Sequence, residues 1–174
     1  KQKNVPDADL ILMRPPLLHR HKNLPKPNEK YDAMIMSWIS NDLNPQGFNG
    51  WRIRCVLETL EVLRKLGYKD IALKLKADNE RTIFEPILKQ YGWLDNVTIL
   101  TGMFYEHVLK ANRIIGGLST GVLEATFHGI PYYVYEPFEN GYSDRVIHSS
   151  RVVGASLISR TTDQLLKHLA NDVG

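Results

Sequence analysis

The chain has 174 residues, with 12 Gly, 9 Pro, a single Cys and a formal net charge of +3. That length suits one domain able to bury roughly 70% of its unfolded surface, and 43% hydrophobic against 24% charged residues excludes a mainly disordered chain. No apolar run approaches the ~18 residues of a membrane-spanning helix, and 22 Lys+Arg against 19 Asp+Glu is too small an excess for a protein that coats nucleic acid.

Residues 1–30 read as an N-terminal extension or linker. Leu10-Ile11-Leu12-Met13 could form one strand. Pro15, Pro16, Pro25 and Pro27 then keep the chain extended. Arg14, His19, Arg20, His21, Lys22, Lys26 and Lys30 crowd the same stretch. A solvated loop explains them; so does a peripheral contact with anionic lipid or a partner domain. The sequence starts Lys1-Gln2-Lys3, with neither an initiator Met nor the apolar stretch of a signal peptide. It therefore reads as a piece of a longer protein.

Residues 31–174 read as one α/β domain. Ala33 to Trp38 is short and nearly all apolar, the pattern of a buried strand. The polar stretch from Ser40 to Gly47 is a loop. Ile53, Val56, Leu57, Leu60, Leu63 and Leu66 then fall on one helical face, and Gly67 ends the helix. Cys55 lies inside that pattern, which predicts a buried thiol in a reducing, cytoplasmic compartment. Ile71–Leu75 is a second strand. Asp78 or Asn79 caps a helix that Gly92 closes, and Val97–Leu100 is a third strand. A short helix is expected from Met103 to about Leu109. Arg113–Ile115 is a fourth strand, and Ser119 caps a helix running to His128. Tyr132–Tyr135 and Ala155–Ile158 are the fifth and sixth strands. Thr161 and Gln164 have capping-box spacing at the start of the last helix. Such alternation predicts a Rossmann-like three-layer α/β/α sandwich. Its parallel sheet would have about six strands in the order 3-2-1-4-5-6. Ligands bind beyond the carboxyl ends of the strands in such sheets.

The loop after the fourth strand is the richest: Gly116-Gly117-Leu118-Ser119-Thr120-Gly121, followed by Glu124 and Ala125. Three glycines permit a tight turn and close backbone approach. Hydroxyls and unpaired amides at a helix start suit a phosphate. A close-packing turn with Ser119 as an ordinary cap fits the same residues. Glu124 could accept ribose hydroxyls, or compensate the helix dipole at the surface. There is no dinucleotide fingerprint after the first strand, no Walker motif and no nucleophile elbow. His107, His128 and His148 lack metal-ligand spacing, so no metal is expected.

The string Ser119-Thr120-Gly121-x-x-Glu124-Ala125-x-x-x-Gly129-x-Pro131 resembles the donor-site signature of GT-B glycosyltransferases. UDP-sugar epimerases of the same fold carry a similar one. The resemblance implies that the chain is the carboxyl-terminal, nucleotide-sugar-binding half of such an enzyme. It would serve surface polysaccharide synthesis, at the cytoplasmic side of the membrane. Gly117, Ser119, Thr120 and Gly121 would bind the donor diphosphate, Glu124 the ribose. Lys74 would add positive charge, with Lys76 standing where the family often has His. Thr101, Gly102 and Met103 would hold the nucleobase. Glu136, Glu139 and Tyr142 would reach the sugar, and Ser40, Asn41 and Gly47 lie after the first strand. The substrate would be a nucleotide sugar, UDP-sugar first, with no cofactor. The other Rossmann-like half, as domain or subunit, would supply the general base, so no catalytic residue is assigned here. The retaining class carries Glu eight residues before the Glu of Glu-Ala; Gly116 stands there, which fits the inverting kind. An epimerase, a polyol-phosphate transferase or a non-catalytic binding module of this fold remain alternatives.

Overall fold

A computed structural model describes residues 24–37, 48–137 and 158–171. The six strands are β1 (Ala33–Met36), β2 (Ile71–Lys74), β3 (Val97–Leu100), β4 (Ile114–Gly116), β5 (Tyr132–Tyr135) and β6 (Ile158–Ser159). All pair in parallel in the order β3-β2-β1-β4-β5-β6. Among the described residues the helices are α1 (Phe48–Lys65), α2 (Arg81–Gln90), α3 (Gly121–Phe127) and α4 (Thr162–Ala170). The expected Rossmann-like sandwich is therefore present.

Apart from Lys74 at the end of β2, the central strands are apolar because both faces are covered. Ala33, Ile35, Ile71, Leu73, Ile115 and Tyr135 join one core with Val56, Leu60 and Leu63 of α1, Phe84 and Leu88 of α2, and Leu165 and Leu169 of α4. The alternate positions Met34, Ala72 and Ile114 face Val108, Ala111, Ala125 and Ile130 on the other side. Cys55 is buried in the first core, and burial pushes its thiol well above the ordinary value.

Three helices end alike. After α1, α2 and α3, Gly67, Gly92 and Gly129 take φ of 80°, 72° and 68°. The next residue donates its amide back to Leu63, Leu88 and Ala125 respectively. These are Schellman closures, which satisfy otherwise orphaned carbonyls.

Several boundaries differ from expectation. The segment after β3 forms two 3-10 turns, Phe104–Glu106 and Val108–Lys110, instead of one helix. Local side-chain bonds compete there: Glu106 accepts the Met103 amide at 2.9 Å, and His107 Nε2 meets the Thr101 carbonyl at 2.6 Å. Asp78–Glu80 is a separate 3-10 turn before α2. The described part of the sixth strand is Ile158–Ser159; the rest of the expected strand, 155–157, lies outside the described residues. The expected strand at 10–13, most of the basic segment, Ser40, Asn41, Gly47, Glu139, Tyr142 and His148 lie outside the described residues. Among the described residues no helix is long and apolar enough to cross a membrane.

Candidate functional site at the carboxyl edge of the sheet

Strand order reverses between β1 and β4, and the loop after β4 opens at that point. Gly116 is locked in place. A Cβ there would collide with the Tyr132 hydroxyl and lie 2.9 Å from Met36 Cβ. Beyond it, the Tyr132 hydroxyl donates to the Gly117 carbonyl at 2.9 Å. The Leu118 amide donates to Glu136 Oε1 at 2.8 Å. Ser119 Oγ accepts the Gly121 amide at 3.2 Å. Burial raises the Tyr132 phenol well above its usual value, opposed by a hydrogen bond with the Ser119 side chain.

The helix start differs from the expected Ser119 cap. Thr120 occupies the N-cap position in helical conformation, with φ −59° and ψ −19° and no side-chain cap bond. Ser119 instead closes a local turn one residue earlier. Among the described residues, no hydrogen bond uses the Ser119 or Thr120 amide. Glu124 is buried, at 7% exposure. That placement does not match a surface carboxylate compensating a dipole.

Lys74 lies two strands away on the same edge, roughly 10 Å from Gly116 across β1 at ~4.8 Å per strand. It is buried at 2% exposure, and its ammonium donates to the Leu75 carbonyl. Burial lowers its pKa, while the charges of Asp78, Glu80 and Glu106 pull the other way. Lys76 is exposed, and its amide donates to Ser37 Oγ at 2.8 Å and Glu80 Oε2 at 3.0 Å.

After β3, the polar backbone of Thr101–Met103 is held by side chains. The Gly102 amide approaches Asp78 Oδ1 at 3.4 Å, and the Met103 amide is held by Glu106. The Thr101 contact assigns the Nε2–H tautomer to His107, whose Nδ1 then faces Lys110 Nζ at 3.4 Å. Burial lowers the His107 pKa; the Thr101 hydrogen bond opposes it. Met103 itself is 54% exposed. The following Phe104 ring lies against Gly121, 3.4 Å from where a Cβ would sit. The tertiary structure thus brings the loop after β3 beside the glycine-rich loop.

Glu136 is buried, and its backbone amide donates to the Ser159 carbonyl at 3.0 Å. Arg160 Nη1 donates to the Glu136 carbonyl at 3.0 Å and lies 3.8 Å from Oε2. Among the described residues, Glu136 Oε2 has no hydrogen-bond partner.

Sequence reasoning missed two constellations. One is a buried ion pair between Arg52 of α1 and Glu80, joined by Ser37 Oγ, which donates to Glu80 Oε2 at 2.7 Å. Residues 28 positions apart carry no local signal of pairing. The other is Tyr132 beside Glu136. Their spacing of four along an extended segment puts both on one face, and that signal was readable. Among the described residues no cluster of His, Cys, Asp or Glu could hold a metal ion.

No protein-family model matches the chain, and no curated protein matches it significantly. Solved structures do match. One is a 2.2 Å crystal structure from Listeria monocytogenes, assigned as a UDP-N-acetylglucosamine 2-epimerase. It is similar at 12% identity and a TM-score of 0.48, over 92% of this chain and 40% of that one. The chain therefore spans well under half the length of that structure.

Proposed function

We propose that this chain is the nucleotide-sugar-binding half of a GT-B-type enzyme that transfers a sugar from a nucleoside diphosphate donor to an acceptor hydroxyl, in surface polysaccharide synthesis. The observation that carries this reading is the preset loop Gly116–Gly121 at the reversal of strand order, continued by Glu124 and by Gly129 before Pro131. The Ser119 and Thr120 amides would receive the diphosphate, with Glu124 on the ribose and UDP the first candidate nucleotide. During transfer the sugar–diphosphate bond breaks as the acceptor oxygen bonds the sugar. Donors fixed before the reaction would stabilise the negative charge that collects on the leaving diphosphate. Lys74 would contribute by turning from the Leu75 carbonyl. The acceptor proton would pass to a base on the other half.

Gly116 bears on the stereochemical class. Tyr132 and Met36 leave no room for a side chain at the position where the retaining class carries Glu. Within this proposal Gly116 favours the inverting kind. Titration calorimetry with UDP, GDP and CMP tests the reading, with Ser119→Ala and Glu124→Ala expected to weaken the nucleotide that binds. Failure of all three nucleotides to bind at millimolar concentration would overturn it. Conversion of a nucleotide sugar by the intact parent protein without acceptor would reassign the same site to an epimerase.

A further inference from the structure

We propose that Tyr132 and Glu136 are positioning residues that set the glycine-rich loop from beneath and decide which of its amides point outward. This rests on the reading of that loop as the diphosphate site. The two side chains share one face of β5 and its continuation, with Val134 between them pairing beside Gly116. Tyr132 takes the Gly117 carbonyl and contacts Ser119; Glu136 takes the Leu118 amide. Each bond is turned inward, so the Leu118 amide is withdrawn from any ligand. The next two amides, of Ser119 and Thr120, are left to face one.

The placement of Glu136 explains why a carboxylate can sit behind an anion site. Its Oε1 is committed to Leu118, and Arg160 lies 3.8 Å from Oε2. At 7% exposure it is placed to hold the loop and not to meet a sugar in this conformation. Gly116 fits the same design, because only a glycine lets the Tyr132 hydroxyl pass to Gly117.

The test uses the whole chain and two readouts. Amide hydrogen exchange by NMR reports the loop without ligand; calorimetry with UDP and with inorganic pyrophosphate reports the site. Glu136→Ala should speed Leu118 exchange at least about tenfold, the loss expected for a hydrogen bond to a charged group. Glu136→Gln keeps a carbonyl acceptor and should restore most of the protection and of the affinity. Tyr132→Phe should loosen Gly117–Ser119 and weaken UDP or pyrophosphate binding. Unchanged exchange at Ile35 in β1 shows that each variant is folded. If Leu118 exchange is the same in wild type and Glu136→Ala, the brace is wrong. It is equally wrong if Glu136→Gln is as impaired as Glu136→Ala. If wild type shows the brace but binds neither probe, the diphosphate reading fails while the positioning of the loop stands.

Discussion

Glu80 shows how one residue can tie together three segments. Its carboxylate pairs with Arg52 and accepts from Ser37 and the Lys76 amide. Burial alone would raise its pKa; the bonds from Ser37 and Arg52 outweigh burial and hold it below the usual carboxylate range. Removing one partner of a buried pair strands the other, so Glu80→Ala should cost about 3 kcal/mol or more in urea unfolding at pH 7. A depressed pKa contributes stability above the unfolded value near ~4.3, and loses it as pH falls through the folded value. The drop in urea midpoint from neutral to acid pH should therefore be shallower in Glu80→Gln than in wild type. Lys74 presents the opposite balance, a buried ammonium with a lowered pKa. Lys74→Met should leave the melting temperature unchanged or higher, since burying an ammonium opposes folding. It should also weaken UDP binding about tenfold if the ammonium turns to the diphosphate, as loss of one charge-assisted bond would. Equal UDP affinity with higher stability would remove Lys74 from the proposed site.

Elements in this protein are set by their ends. The last helix starts as its sequence announces. Thr161 Oγ1 accepts the Gln164 amide at 3.2 Å, and Gln164 Oε1 accepts the Arg160 amide at 2.6 Å. Thr161→Ala should lower stability by about 1 kcal/mol, read as a lower melting temperature. The Gly67, Gly92 and Gly129 closures were equally legible, because glycine alone enters the left-handed region cheaply. The turns after β3 were not. Met103–Leu109 has the composition of a short helix, yet Glu106 and His107 turn back onto Met103 and Thr101. Spacing within a helix does not reveal a side chain that bonds backward across the preceding loop. The helix start near Ser119 was read one residue early for a related reason: its hydroxyl closes a turn on Gly121.

At the scale of the whole molecule, parallel strands buried on both faces explain a sheet read from short apolar runs. Their amides should exchange slowest in the order's centre. Protection in β1, β2 and β4 should exceed that at Ile158 and Ser159 of the two-residue edge strand β6, as native-state hydrogen exchange would show. The proposed function adds an expectation at this scale. The chain alone should bind UDP without turning over a UDP-sugar, and turnover should require the other half. Sugar transfer by the isolated chain would contradict the division of labour between two halves.

The amino-acid sequence by itself determined the alternation of strands and helices, the helix closures and the glycine-rich loop as a place to look. These are local properties of apolar period, φ preference and turn chemistry, and they are written within a few residues of where they act. The length and modest charge suited one ordinary domain, and the structure packs apolar residues on both faces of one sheet. Only the tertiary structure decided what surrounds the loop. It placed Tyr132 and Glu136 beneath Gly117 and Leu118, set Phe104 against Gly121, buried Lys74 among carboxylates and joined Arg52 to Glu80. Most of those contacts join distant segments, and even the alternation that puts Tyr132 and Glu136 on one face does not say what they touch. They exist because the sheet brings separate strand ends to one edge, where polar side chains leaving water must find partners.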